Sequence, residues 1–379
     1  MRSILTVVAI LISYGSLFPF DFVASTDLQS DIHALFSTFS IPVNRGDLFG
    51  NIVLFIPYGL VSAMVAAPYK QRRAVIFTLF VLGMALAFVL QFVQIWLPSR
   101  DAAAGDAFIN GLGLIIGLGI GSSLVHLRPT MADRRIRMAL IPTSLLLLWL
   151  AYRWFPWVPT LDLQNIKNAI KPLLTTSDFN GVRAIHTAVA WLVFFKISEY
   201  VRNERIAPQW LVLVAVLINF GQLFFVGGSI SMNSAVGLAL AIVAMPLLNG
   251  PNALVGLSLA LLATLLLSGL QPFEFATPFN TFQWIPFSGF LSGSMSTNFL
   301  VLLEKTYLYA ALIFLLQKSG ARPLPSTLIC AAWLAVIEAF QIMVQGRTAE
   351  VTDPVFALLI GYVIAMVVRH EMTTFSSAR

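Results

Sequence analysis

Glu338 and Gln341 stand three residues apart, with Arg347 and Asp353 following at six-residue steps. On a helix, side chains at i and i+3 share a face, so this acid and amide address one target, a hydroxyl or phosphate oxygen. The acid offers proton transfer, the amide orientation, and the arginine a bidentate grip on an anion. The offsets of 3, 9 and 15 residues recur in Gln91, Gln94, Arg100 and Asp106, and again in Asn219, Gln222, Gly228 and Ser234. Two amides bind but do not exchange protons usefully near neutral pH. Any acid–base work therefore belongs to the third set, with Glu338 as the candidate catalytic residue.

Glu338 lies seven residues before the end of an apolar run, so at 1.5 Å per residue it sits roughly 10 Å deep. Glu304 and Lys305 enter the preceding run to a similar depth. Ionisable groups there are expensive and usually face a bundle interior or a wet cavity. Adjacent helical residues diverge by about 100°, so the expectation is that Lys305 turns inward to pair with Glu338 while Glu304 meets another partner. Asp353 precedes Pro354 and reads equally as a helix N-cap or a ligand; Asp106 also precedes a helix. Arg100 and Arg347, in short loops, read as salt-bridge partners of those acids or as headgroup binders. Asn51 opens a run loosened by Pro57 and Gly59, near enough to one end to join Gln94 and Asp106. Lys196 and Glu199 read as a snorkelling pair.

These residues need membrane helices to position them. The chain is 58% hydrophobic and 11% charged, with mean hydropathy +0.85; ordinary globular domains are about 25% charged. Twelve apolar runs approach the ~20 residues that cross a bilayer: 3–20, 48–67, 74–97, 106–126, 138–155, 184–201, 208–226, 230–248, 252–270, 297–317, 324–345 and 351–368. The expected fold is all-α and polytopic, about twelve transmembrane helices in three four-helix repeats, 1–137, 138–250 and 251–379. An even number of spans per unit makes the repeats parallel, unlike inverted-repeat transporters. The first run of each unit ends in an aromatic-proline element: Phe18-Pro19-Phe20, Phe155-Pro156-Trp157 and Pro272-Phe273. The first run reads as a retained span rather than a signal peptide, since Pro19-Phe20 has a counterpart further along and no clear cleavage site follows. Gly113, Gly117 and Gly121 form a four-residue stripe that reads as close helix packing.

With the N-terminus cytoplasmic, 14 of 23 basic residues fall on the inner side, among them Arg72, Arg73, Arg134, Arg135 and Arg137. The net charge of +6 is thus topology, and nucleic acid is excluded as a partner. All three polar sets then gather at the outer face, with both termini cytoplasmic. Long outer segments cover about 21–47, 156–183 and 271–296. Cys330 is the sole cysteine and the four histidines are scattered, so no disulfide, metal site or cofactor is read.

Taken together, Asn51-x-x-Leu54-Phe55-x-Pro57-x-Gly59, Gln91-x-x-Gln94, Arg100 and Asp106-x-x-x-Asn110-x-x-Gly113 resemble the VanZ-like family of bacterial membrane proteins. Asp47 belongs to the same pattern. Glu338-x-x-Gln341, Gly346-Arg347, Asp353 and Gly361 resemble it a second time, and the middle unit is a degenerate copy. Gln91 stands where the family has Glu, and the third set lacks a counterpart of Asn110. The resemblance implies a cell-envelope role in the bacterial inner membrane, with the namesake's low-level glycopeptide (teicoplanin) resistance attached.

The leading expectation is a multi-pass protein that binds an anionic or glycan-bearing lipid, or a lipopeptide, at its extracytoplasmic face. Arg100 and Arg347 would hold the headgroup, Gln94 and Gln341 would orient it, and Lys305 and Glu338 would supply polar contact within the bilayer. The alternatives are a membrane-embedded enzyme acting on a lipid carrier through Glu338, a lipid or solute transporter, and a non-catalytic envelope organiser.

Overall fold

The computed structural model describes residues 1–37, 45–127, 140–174, 179–202, 204–292 and 294–376. The basic cluster Arg128, Arg134, Arg135 and Arg137, and Arg379, lie outside the described residues, as does the side chain of Asp47. The regular elements are helices: α1 Arg2–Leu17, α2 Leu28–Ser37, α3 Arg45–Ala66, α4 Arg72–Gln94, α5 Ala104–Leu127, α6 Leu140–Trp154, α7 Leu163–Leu174, α8 Gly181–Arg202, α9 Pro208–Gly221, α10 Met232–Ala244, α11 Ala253–Gly269, α12 Ser288–Ser292, α13 Met295–Lys318, α14 Pro323–Gln341 and α15 Thr352–Ser376. Among the described residues, β pairing is confined to isolated bridges such as Pro159–Phe225 and Phe275–Val344.

Each of the twelve apolar runs contains a helix. Eight, among the described residues, are long and apolar enough to cross a membrane; α1, α6, α9 and α11 are shorter apolar helices. Three of those four stop just before Pro19, Pro156 and Pro272, where the residue ahead of proline is driven out of the helical region. After each proline the chain turns through a bulky residue at positive φ: Phe20 at 67°, Trp157 at 61° and Phe273 at 67°. Such φ values are rare for bulky side chains. The three long segments 21–47, 156–183 and 271–296 are not plain loops, since they contain α2, α7 and α12 respectively.

The chain divides into two compact units, one of residues 1–133, 290–295 and 366–379, the other of residues 134–289 and 296–365. In the first, α3 and α5 meet backbone to backbone: a methyl group added at Gly113, Gly117 or Gly121 would overlap the main chain of Ile52, Ile56 or Leu60, and one at Gly59 that of Leu114. Phe55, Ala87, Leu90 and Leu114 fill the adjoining core. The second unit is centred on Trp191, Phe195, Tyr307, Leu261 and Leu312, with Trp149 in ring contact with Trp191 and Tyr307.

Candidate functional site

The marked residues of the third set act first on the backbone. Glu338, 3% exposed, sits near the end of α14, and its Oε2 accepts the backbone N–H of Glu350 at 2.8 Å. One turn on, Gln341 Nε2 donates to the Gly269 carbonyl at 3.1 Å. Arg347 follows in the loop; its Nε donates to Gln271 O and its Nη2 to Ser268 O, each at 2.6 Å. All three accepting carbonyls belong to the end of α11 and the turn that Pro272 imposes. A helix end leaves its last carbonyls without intrahelical partners, and here Gln341 and Arg347 satisfy them.

The first set makes the corresponding bonds. Gln91 Oε1 accepts the Ala103 N–H at 3.1 Å, Gln94 Nε2 donates to Ser16 O at 2.7 Å, and Arg100 Nε donates to Phe18 O at 2.9 Å. Asp106 lies in the first turn of α5. Asn110 is buried and its Oδ1 lacks a hydrogen-bond partner among the described residues. Asn51 is half-buried on α3, the helix against which α5 packs.

Gln91 performs with an amide what Glu338 performs with a carboxylate. Glu338→Gln is therefore expected to keep the bond to Glu350 and shift stability by no more than about 1 kcal/mol, the net worth of an ordinary hydrogen bond. Thermal unfolding of the purified variant in detergent measures this. A drop of several degrees would show that the negative charge itself is needed.

Lys305 pairs with Asp353 rather than with Glu338. Its Nζ lies 2.6 Å from Asp353 Oδ1, and Tyr309 OH donates to Asp353 Oδ2 at 2.8 Å. Asp353 thus binds side chains of α13 from the first turn of α15, while Thr352 accepts the Phe287 N–H at 2.7 Å. Glu304 diverges from Lys305 as helical geometry requires, its Oε1 lying 3.7 Å from His186 Nε2. Lys196 and Glu199 form the expected pair at 2.8 Å.

The middle set holds an arginine that the spacing did not mark. Arg153, in the last turn of α6, directs Nη2 to Asn219 Oδ1 at 2.5 Å and Ser234 Oγ at 2.9 Å. With its amide oxygen turned toward the guanidinium, Gln222 accepts from Nη2 at 2.7 Å and from Nε at 3.2 Å. The faces of Trp149 and Trp191 lie 5.7 and 5.8 Å from the guanidinium carbon, within the range of cation–π attraction. Every one of these partners is neutral. The available signal is a cation inside the end of the apolar run 138–155.

Arg153, Lys305, Gln341, Arg347 and Asp353 all line one cavity of about 660 Å³ in the second unit, joined by Arg183, His186 and Glu304. Leu265, Val301, Leu308, Leu334 and Ile337 supply an apolar wall. Glu338 is not part of the lining; its neighbour Ile337 is. Four Lys/Arg side chains face two carboxylates there, and Asp353 is already committed to Lys305. Burial, and then the like charge of Arg183, lower the Arg347 pKa from its ordinary value. Such a wall of cations beside leucines suits a ligand with an anionic group next to an apolar one. The residues of the first set belong to the other compact unit, where Gln94 and Arg100 converge on the turn at Phe18 and Gln91 holds the Ala103 N–H.

No curated protein and no solved structure compared with the chain matches it. One family model does, VanZ/LLP1, over residues 5–125, the stretch that holds α1, α3, α4 and nearly all of α5 with the Gln91–Gln94–Arg100 set. Residues 5–125 are thus similar to the VanZ-like family, and the long apolar helices make the chain a multi-helix membrane protein.

Proposed function

We propose that this is a cell-envelope protein of the bacterial inner membrane whose cavity binds the anionic headgroup of a lipid or lipopeptide at the extracytoplasmic face. The observation that carries the reading is the Arg153 guanidinium, whose hydrogen-bond partners are the neutral Asn219, Ser234 and Gln222, with Glu304 near enough to feel its charge but outside ion-pair contact among the described residues. A buried cation with neutral partners remains a strong attractor of anions, because the low dielectric around it amplifies charge. Arg347 Nε and Nη2 are taken by Gln271 and Ser268, and its Nη1, without a partner among the described residues, faces the same ligand. A lipoglycopeptide antibiotic presents the same chemistry, so glycopeptide resistance is compatible with this site.

The architecture we propose is twelve membrane helices in three parallel units. Support comes from the paired bonds of the first and third sets, from the recurring positive φ after three prolines, and from the four short helices lying where that pattern requires spans. All three polar sets then lie at one end of the helices, the outer end if the termini are cytoplasmic.

Arg153→Gln is the direct test. In nanodiscs containing phosphatidylglycerol and phosphatidylcholine, native mass spectrometry should show the unaltered protein retaining phosphatidylglycerol preferentially. The variant is expected to lose that preference by at least about tenfold, the equivalent of one charge-assisted hydrogen bond. Equal retention of the two lipids by the unaltered protein would remove the proposal.

A further inference from the structure

At the end of α4 and α5 away from Gln94 and Asp106, the first unit holds a concavity of about 700 Å³ lined by Lys70, Arg72, Arg73, Ile76, Ser122 and His126 among others. Three permanent cations stand there, and no carboxylate belongs to the lining among the described residues. A bias of inner loops toward Lys and Arg accounts for the sign of these charges but not for their gathering around one hollow. Arg72 and Arg73 open α4, whose first turn has no acidic residue and whose N-cap, Gln71, makes no side-chain capping bond. Cations there oppose the positive end of the helix dipole, where an anion is favoured. Arg72 Nε, moreover, is buried without a hydrogen-bond partner among the described residues, and a buried donor left unmet is costly. Arg100, at the other end of the same unit, has its Nε bonded to Phe18 O.

From this we infer that the concavity seats the headgroup of a phospholipid bearing two phosphates, at a site separate from the Arg153 cavity. The phosphates meet the Arg72 and Arg73 guanidinium groups and the first-turn N–H groups of α4, with Lys70 as a further point charge. Arg72 Nε gains the acceptor it lacks, and the like charges crowded at the start of α4 are offset. Three cations without a counter-carboxylate favour two negative charges over one. Basic pockets between membrane helices suit such headgroups. The acyl chains have a path as well, since Phe77 and Val81 follow Arg73 at i+4 and i+8 on one face of α4, and both are exposed. A soluble phosphate would leave that stripe unused, whereas a lipid covers the charges and the apolar face together.

Diphosphatidylglycerol and phosphatidylglycerol, offered to the full-length protein in phosphatidylcholine nanodiscs, show whether two phosphates are read. Native mass spectrometry is expected to find the first bound about tenfold more tightly, the yield of one further charge-assisted contact. Arg72→Gln/Arg73→Gln is expected to abolish that preference, with a loss of at least about tenfold. Arg202→Gln/Arg205→Gln removes the same charge from two exposed arginines outside the pocket and is expected to leave the preference within about twofold, as is Arg153→Gln. Lys70→Gln, at an exposed position ahead of α4, is expected to lose about threefold, and it carries the test if the double variant does not fold. Equal binding of the two lipids by the unaltered protein would overturn the proposal. So would equal losses from the two double variants, which would reduce the effect to general surface charge, or a preference lost only in Arg153→Gln. Inorganic pyrophosphate carries two phosphates without acyl chains; if it competes as strongly as diphosphatidylglycerol, the lipid assignment is overturned.

Discussion

Replacing Arg347 by leucine is expected to destabilise the second unit by roughly 3–6 kcal/mol, because two charge-assisted hydrogen bonds of ~1.5–3 kcal/mol each are lost together. The Gln271 and Ser268 carbonyls that receive them at 2.6 Å would be left at a helix end with Gln341 as the remaining side chain on that turn. Lysine should not rescue the variant, since a single ammonium does not reproduce the planar fork that spans two carbonyls. Arg100→Leu, which loses a bond to Phe18 O, should be milder. Chemical or thermal unfolding in detergent ranks the three. An Arg347→Leu protein within 1 kcal/mol of the unaltered one would show that the arginine is held for its ligand alone.

A larger effect still is expected from Gly117→Val. The position faces the Ile56 carbonyl and the Leu60 backbone N–H of α3, so no rotamer relieves the overlap and the helices must separate. Overpacking in an ordinary core costs about 1–3 kcal/mol; here the obstacle is main chain on both sides, and loss of the folded first unit is the expected outcome. Gly119, on the same helix, has open space where a Cβ would stand. Gly119→Ala should therefore be tolerated or gain roughly 0.5–1 kcal/mol from helix propensity. Size-exclusion profiles and limited proteolysis compare the pair. A monodisperse, protease-resistant Gly117→Val protein would refute the backbone contact.

Composition and run length made the membrane class legible, and the twelve apolar runs all proved helical. The glycine stripe was legible too, because small residues at four-residue spacing have one common use. The divergence of Glu304 and Lys305 followed from helix geometry alone. Partner choice did not. Lys305 was expected to reach Glu338, yet the Glu338 carboxylate is engaged by a backbone N–H twelve residues on, and Asp353 is the acid that meets the lysine. Nothing in the spacing of Gln94 or Arg347 reveals that a proline-made turn, distant in sequence, offers carbonyls at the right place. Side-chain type is written in the sequence; the backbone groups it satisfies appear only when separate helix ends come together. Arg153 was missed for a related reason, since its importance depends on Asn219, Gln222 and Ser234 surrounding it.

The contact between α3 and α5 has a bearing on how this surface can change over time. Cohesion there comes from main chain against main chain, so the outward residues of α5, among them Ile115, Ile116 and Ile120, carry no duty in holding the pair together. They are free to drift with the thickness and acyl composition of the host bilayer while the helix pair keeps its geometry. A cell that remodels its lipids can thus refit the exterior of this unit by point substitutions without reopening the problem of its fold.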